Sequence, residues 1–455
     1  MDGRAPDRQS WNILPGIGTI LGQGKGISLG LRRSMAFPSI SQHNFLSDDN
    51  MIPLRWIKFN FIYFIIVALL GVIMRSVMLG LNLMPYDHLL HTHSHIAFLG
   101  WVYPSLFILL VNRFLTAEAV GRYRFKLQYI LTHLLILAML IAFLLQGYAF
   151  YSILFSSLFQ LLNYIFVFTF WKALRRSPGK RMAVYFLRIG LLALALSTFG
   201  PWTVGALKAN GLGGSPFYKM AIYFYLHFQY NGWIIFALMA LFFARMDKFA
   251  QYRTKQAFSF FILYTLALLP DYCLSLLGLF DGVWLNWLAG LAEFLQILAL
   301  MYLLPFIWRM RKNIFSEMSG FWPVVPVFIA GLALVIKIIL QVFPLLPVLQ
   351  DVAFNNRGVI VSFIHLVMLG VVSSYLLAEI LASGLINANT KRVRSGLILF
   401  YSGFVFSELL LGFGFLYFPA AYFELLAAFT FVMFLGLIFL FSGFVKKKGS
   451  SASEA

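Results

Sequence analysis

His91, His93 and His95 fall within five residues, in the stretch HTHSHIAFLGW, which then runs into an apolar segment through Gly100 and Trp101. The whole chain holds only eight histidines. Neutral imidazole ligates heme iron and copper, and two histidines on facing helices can hold a low-spin heme axially. On one helix His91 and His95 share a face at i,i+4, with His88 near it, whereas His93 points about 200° away from His95. The two faces can therefore serve different partners, and His93 offers a route to a second cofactor. His88 and His91 lie near the water boundary and read as exposed polar residues.

The unit around His95 recurs. His227, in LHFQYNGW, is followed by Gly232 and Trp233, and His365, in FIHLVMLGVV, by Gly370 and Val371, with the spacing that separates His95 from Gly100 and Trp101. Each histidine also sits eight residues past a charged residue: Asp87, Lys219 and Arg357. At 1.5 Å per residue this places all three about 12 Å along their helices. A lone intramembrane histidine often does no more than hydrogen-bond across a helix interface. Three at one depth favour a shared site. The glycines, Gly100 and Gly370 among them, would let a flat cofactor or a neighbouring helix approach the backbone closely.

The elements that must position these residues are membrane helices. Of the 455 residues 61% are hydrophobic and 11% charged, against about a quarter charged in soluble proteins. Twelve apolar segments can be cut at the polar breaks, roughly 58–79, 88–112, 126–146, 150–171, 182–204, 217–244, 256–277, 284–308, 321–344, 357–384, 395–417 and 421–445. Lysine and arginine gather before the first segment, after every even-numbered one and at the end, from Arg55 and Lys58 to Lys446, Lys447 and Lys448. The alternate loops carry only Lys208, Lys219 and Arg357. Such alternation predicts twelve spans with both termini cytoplasmic, as in a bacterial inner membrane. It also accounts for the net charge of +19 without nucleic acid. Arg75, near the outer end of the first span, is an exception that can snorkel to water.

The histidines recur every fourth span, on the second, sixth and tenth. The expected fold is therefore all-α, a polytopic membrane protein of twelve transmembrane helices in three pseudo-symmetric four-helix groups. The domain reading is a disordered cytoplasmic tail over 1–56, a transmembrane body over 57–445 and a basic cytoplasmic tail over 446–455. No signal peptide is evident, and Met51 stands just before the first span as an alternative start. The single cysteine, Cys273, excludes an internal disulfide and any cysteine-based zinc or iron–sulfur site.

Twelve spans with histidines on the second, sixth and tenth resemble heme–copper oxidase subunit I, a superfamily that includes the nitric-oxide reductases. The resemblance implies a low-spin heme b held by His95 and His365, with His227 matching the span-six ligand of a second metal, copper or non-heme iron. It also implies a quinol or cytochrome electron donor and partner membrane subunits. Two departures bear on activity. The family carries a high-spin heme ligand two residues before the span-ten histidine, where this chain has Phe363, and span seven, FSFFILYTLALLPDYCLSLL, lacks the family's paired histidines. The His-x-His occurs on span two instead, as His93 and His95.

Other intramembrane polar residues are Lys337 and Glu408, which can pair or relay protons, and Glu293 and Glu379, which lie near enough to the boundary to reach water. His133 reads as a packing residue. Three functions follow: a b-type heme protein that carries electrons or handles or senses a diatomic gas, a metal-ion or proton transporter using the histidines, or a heme-free structural subunit.

Overall fold

The computed structural model describes residues 51–445 apart from 82, 176–180, 250–254, 319, 415 and 418–420. The chain divides into Met1–His43 and Asn44–Ala455, and every described residue belongs to the second unit. Residues 1–50 of the tail expected over 1–56, and the basic end from 446, lie outside the described residues.

A backbone in hydrocarbon must satisfy its own polar groups, so each apolar run becomes a helix. Eleven described helices are long and apolar enough to cross a membrane, and a bent pair brings the number to twelve if it forms one span. They are α1 (Leu54–Met78), α2 (Tyr86–Phe114), α3 (Phe125–Gln146), α4 (Phe150–Leu174), α5 (Met182–Ala209), α6 (Pro216–Met246), α7 (Lys255–Ala267 with Pro270–Leu276), α8 (Val283–Glu317), α9 (Phe321–Leu345), α10 (Arg357–Ala382), α11 (Lys391–Phe413) and α12 (Tyr422–Ser442). The protein is thus a multi-pass, all-α membrane protein. Large apolar side chains such as Trp287 and Leu145 face outward, as a bilayer requires. The packed body also takes in residues 51–56: Ile52 is buried, its carbonyl accepts from Asn112 at 3.0 Å, and Trp56 stacks on Tyr129.

Each span packs against its neighbours in sequence, and α12 closes onto α1. The most enclosed spans are α2 and α6. Three spans share a local feature: a π-helical turn interrupts the α-helix at Ala97–Val102 in α2, Phe228–Ile234 in α6 and Leu366–Ser373 in α10. Each follows one of the recurring histidines by one or two residues and contains its glycine. Such turns insert an extra residue into the helix and cluster at functional sites.

The glycines serve helix crossings. A Cβ on Gly100 would lie 3.1 Å from Tyr63 of α1, one on Gly232 2.5 Å from Ala193 Cβ of α5, and one on Gly370 2.9 Å from Ala333 Cβ of α9. In each case the helix leans on the one that precedes it in the chain. Gly232→Ala is therefore expected to cost about 1–3 kcal/mol through overpacking, read as a lower thermal midpoint in detergent. Gly205→Ala, whose Cβ meets nothing within 4 Å, is the control and should leave the midpoint unchanged or slightly raised.

At the end bearing the basic loops a buried ion cluster ties four helices together. Glu379 of α10 accepts from the Arg245 guanidinium of α6 through both oxygens, and from Tyr375 at 3.1 Å. Arg113 of α2 lies 3.6 Å away, and Glu317 of α8 pairs with Lys248 at 2.6 Å and with Arg245 at 4.0 Å. Glu379 and Glu293 are each 2% exposed, so neither reaches water as the sequence suggests; partners inside the bundle hold them instead.

Candidate functional site

A cavity of about 500 Å³ lies among α1, α2, α6, α10, α11 and α12, with mostly apolar walls. His93 and His365 both belong to its lining, their ring centres 6.5 Å apart and their planes at 60°. Each is oriented through Nδ1. His93 Nδ1 lies 3.0 Å from the Val67 carbonyl of α1, which can only accept, so Nδ1 carries the proton and Nε2 keeps its lone pair. Gly71, one turn further on, leaves room for the ring: a Cβ there would stand 3.4 Å from His93 Cε1. His365 Nδ1 is bonded to Glu408 Oε1 of α11 at 3.0 Å, the carboxylate–histidine pairing that orients metal-binding imidazoles. Among the described residues neither Nε2 has a hydrogen-bond partner.

The remaining sequence candidates are placed differently. His95 lines the same cavity, but its Nδ1 is bonded to the His91 carbonyl at 2.9 Å and its ring packs on Phe143 of α3 at 4.3 Å. The structure thus brings His93, not His95, against His365. His88 ties α2 to α3 through the Leu144 carbonyl at 3.0 Å, so it is an anchor rather than an exposed polar residue. His227 is buried and outside the cavity lining, with Nε2 on the Leu268 carbonyl at 2.8 Å and Nδ1 3.3 Å from the Asn231 amide. Both its nitrogens are therefore engaged, and it stands apart from His93. Gly100 and Gly370 sit at helix crossings and do not form the cavity wall. His133 stacks between Tyr63 and Tyr129 as a packing residue.

Four contributors to the site were not assembled by sequence reading. Glu408 was visible as an intramembrane carboxyl, but its partner is His365 rather than Lys337. Arg75 and Arg357 line the same cavity, and Arg357 donates to the Tyr86 hydroxyl at 3.0 Å. Trp101 stacks on Phe64 at 4.5 Å and donates to Ser373 at 2.9 Å, which fixes the wall where α2 meets α10. No group of three or more His, Cys, Asp or Glu side chains placed to hold a metal ion occurs among the described residues. The arrangement offers two neighbouring imidazole rings, each held through Nδ1, in the lining of a mostly apolar cavity with guanidinium groups in its wall. No protein-family model matches this chain, and a search of curated proteins finds no match.

Proposed function

We propose that the chain is a membrane heme protein that holds one low-spin b-type heme between His93 and His365. The carrying observation is that pair of neighbouring rings in one cavity, each oriented through Nδ1. A metal–imidazole bond is about 2 Å long, so two rings on opposite sides of one ion have centres roughly 6 Å apart; the observed 6.5 Å fits. The cavity has the size usual for cofactor sites, and Arg75 and Arg357 suit the two propionates of a heme. When bound, such a group supplies a one-electron couple. With both His93 and His365 engaged as its ligands, the group would have no site left open to a gas, so electron transfer is favoured over gas binding. Glu408 orients His365, and the apolar wall excludes water.

The resemblance to heme–copper oxidases stops there. With no histidine on α7 and with Phe363 in place of a second α10 ligand, the reading does not extend to oxygen or nitric-oxide reduction. The recurring His–π-turn–glycine units on α2, α6 and α10, each leaning on the preceding helix, support three related four-helix groups. The charge alternation supports both termini on the cytoplasmic side, as in a bacterial inner membrane, with the electron donor, a quinol or a cytochrome, coming from outside this chain.

Purified protein should show a Soret band and sharp reduced-state bands, with about one heme per chain by extraction. A colourless, metal-free preparation overturns the reading. Glu408→Gln should keep the bands but loosen the heme, by roughly 10- to 100-fold in retention, as loss of an orienting carboxylate usually does. The measurement is the rate of heme transfer to an excess of apomyoglobin.

A further inference from the structure

A second constellation lies on α6–α9. The helix of α7 breaks before Pro270 and bends by 44°. Tyr272 N–H turns to the Leu269 carbonyl, and His227 takes up the Leu268 carbonyl. Just past the break Asp271 is buried at 3% exposure and accepts three amide N–H groups, from Asn231 at 3.1 Å, Gln296 at 3.0 Å and Gln341 at 2.8 Å. The same Gln296 nitrogen also reaches Glu293 Oε1 at 3.3 Å, so one amide bridges two carboxyls. The Gln296 carbonyl accepts from Lys337 Nζ of α9 at 3.3 Å. Glu293 and Lys337 are almost wholly enclosed, and Glu293 Oε2 has no partner. Broken helices near mid-membrane are where transport proteins bind ions.

The charges in this network do not balance. Asp271 and Glu293 supply two negative charges and Lys337 one positive. His227 Nδ1 also lies 3.8 Å from Asp271 Oδ2, but with Nε2–H donated to a carbonyl and Nδ1 accepting from Asn231 the ring is counted as neutral. Tyr264, Tyr272 and Cys273 are the remaining titratable side chains of α7 near the network, and all three are neutral in their ordinary protonated forms. A net charge in a desolvated site is costly and is relieved by binding a counter-ion or a proton. The groups within hydrogen-bond reach of Asp271 are N–H donors, which match the acceptor oxygens of a carboxylate and are wrong for a metal cation. Glu293 keeps one oxygen free.

We propose that α6–α9 enclose an intramembrane proton-binding site, in which the Asp271–Glu293 pair holds one exchangeable proton, carried on Glu293, against Lys337. The proton forms an O–H bond on Glu293 Oε2, no other bond changes, and the network becomes electrically neutral. This site is independent of the heme reading.

The test counts carboxylic acid groups by infrared difference spectroscopy on the full protein in lipid at neutral pH, in light and heavy water. The native protein should show a protonated-carboxyl band, shifted in heavy water and by carbon-13 glutamate, that is lost in Glu293→Gln. Asp271→Asn should also lose it, since Glu293 then ionises against Lys337, and the double variant Asp271→Asn, Lys337→Met should regain it. If Glu293→Gln cannot be recovered, the labelled native protein and the double variant carry the same test. A native protein without the band, a band that follows labelled aspartate, or a band removed by added sodium at constant pH would each overturn the proposal, the last in favour of a metal cation.

Discussion

Replacing His365 by alanine is expected to reduce bound heme at least tenfold and to abolish the low-spin bands. His93→Ala should do the same, whereas His95→Ala should retain most of both. On the heme reading, removing either ring would leave a single imidazole of the pair to hold the group, and among the described residues the one further imidazole in the cavity lining is His95. His95 is directed toward α3 by its bond to the His91 carbonyl and its packing on Phe143. Extracted heme per chain, together with the reduced spectrum, reads the result. A misfolded variant is recognised by its elution in detergent, so His365→Gln serves as a bulkier companion that preserves a contact to Glu408. Equal heme loss in all three alanine variants would show that the cavity, not the His93–His365 pair, governs binding. Loss confined to His95→Ala and His365→Ala would restore the pairing that the resemblance implies.

The second large effect concerns the ion cluster at the opposite end of α10. Arg245→Met should destabilise the protein by about 3–5 kcal/mol, the usual result of stranding a buried charge. Glu379 is enclosed and takes both of its strongest contacts from that guanidinium, with Arg113 more distant. The double variant Arg245→Met, Glu379→Met should recover much of the loss, because burying two apolar groups avoids the desolvation of both charges. Thermal midpoints of the single and double variants in one detergent decide the matter. A single variant as stable as the parent would mean that Arg113 alone neutralises Glu379.

Eleven of the apolar runs were legible as spans because hydrocarbon leaves a backbone no alternative to the helix, and the runs are long enough to show it. The seventh run is helical too, but its bend at Pro270 was not foreseen. The three histidines and their glycines were legible as a spacing. What the spacing could not reveal was rotation. The choice between His93 and His95 depends on which carbonyl and which ring each side chain meets, Val67 on α1 in one case and Phe143 on α3 in the other. The π turns are equally hidden, since an all-round apolar helix carries no phase from which an extra residue could be read. Glu293 and Glu379 were misjudged for a related reason. Distance from a span's end suggests access to water, but Gln296 and Arg245 approach from the same or another helix and make that access unnecessary.

The contact between α12 and α1 also has a consequence for how the chain could be rewired. Lys58 lies over the rings of Phe441 and Phe444 at 5.0 and 5.9 Å, so the first and last spans begin and end side by side on one face of the bundle. A short polar linker across that gap would turn the bundle into a closed loop of helices. Such a loop can be cut elsewhere, because circular permutation depends on neighbouring ends and an exposed opening. An opening after an even-numbered span would keep every helix in its original direction through the bilayer. The order of synthesis could thereby be changed while α2 and α10 still met across the same cavity.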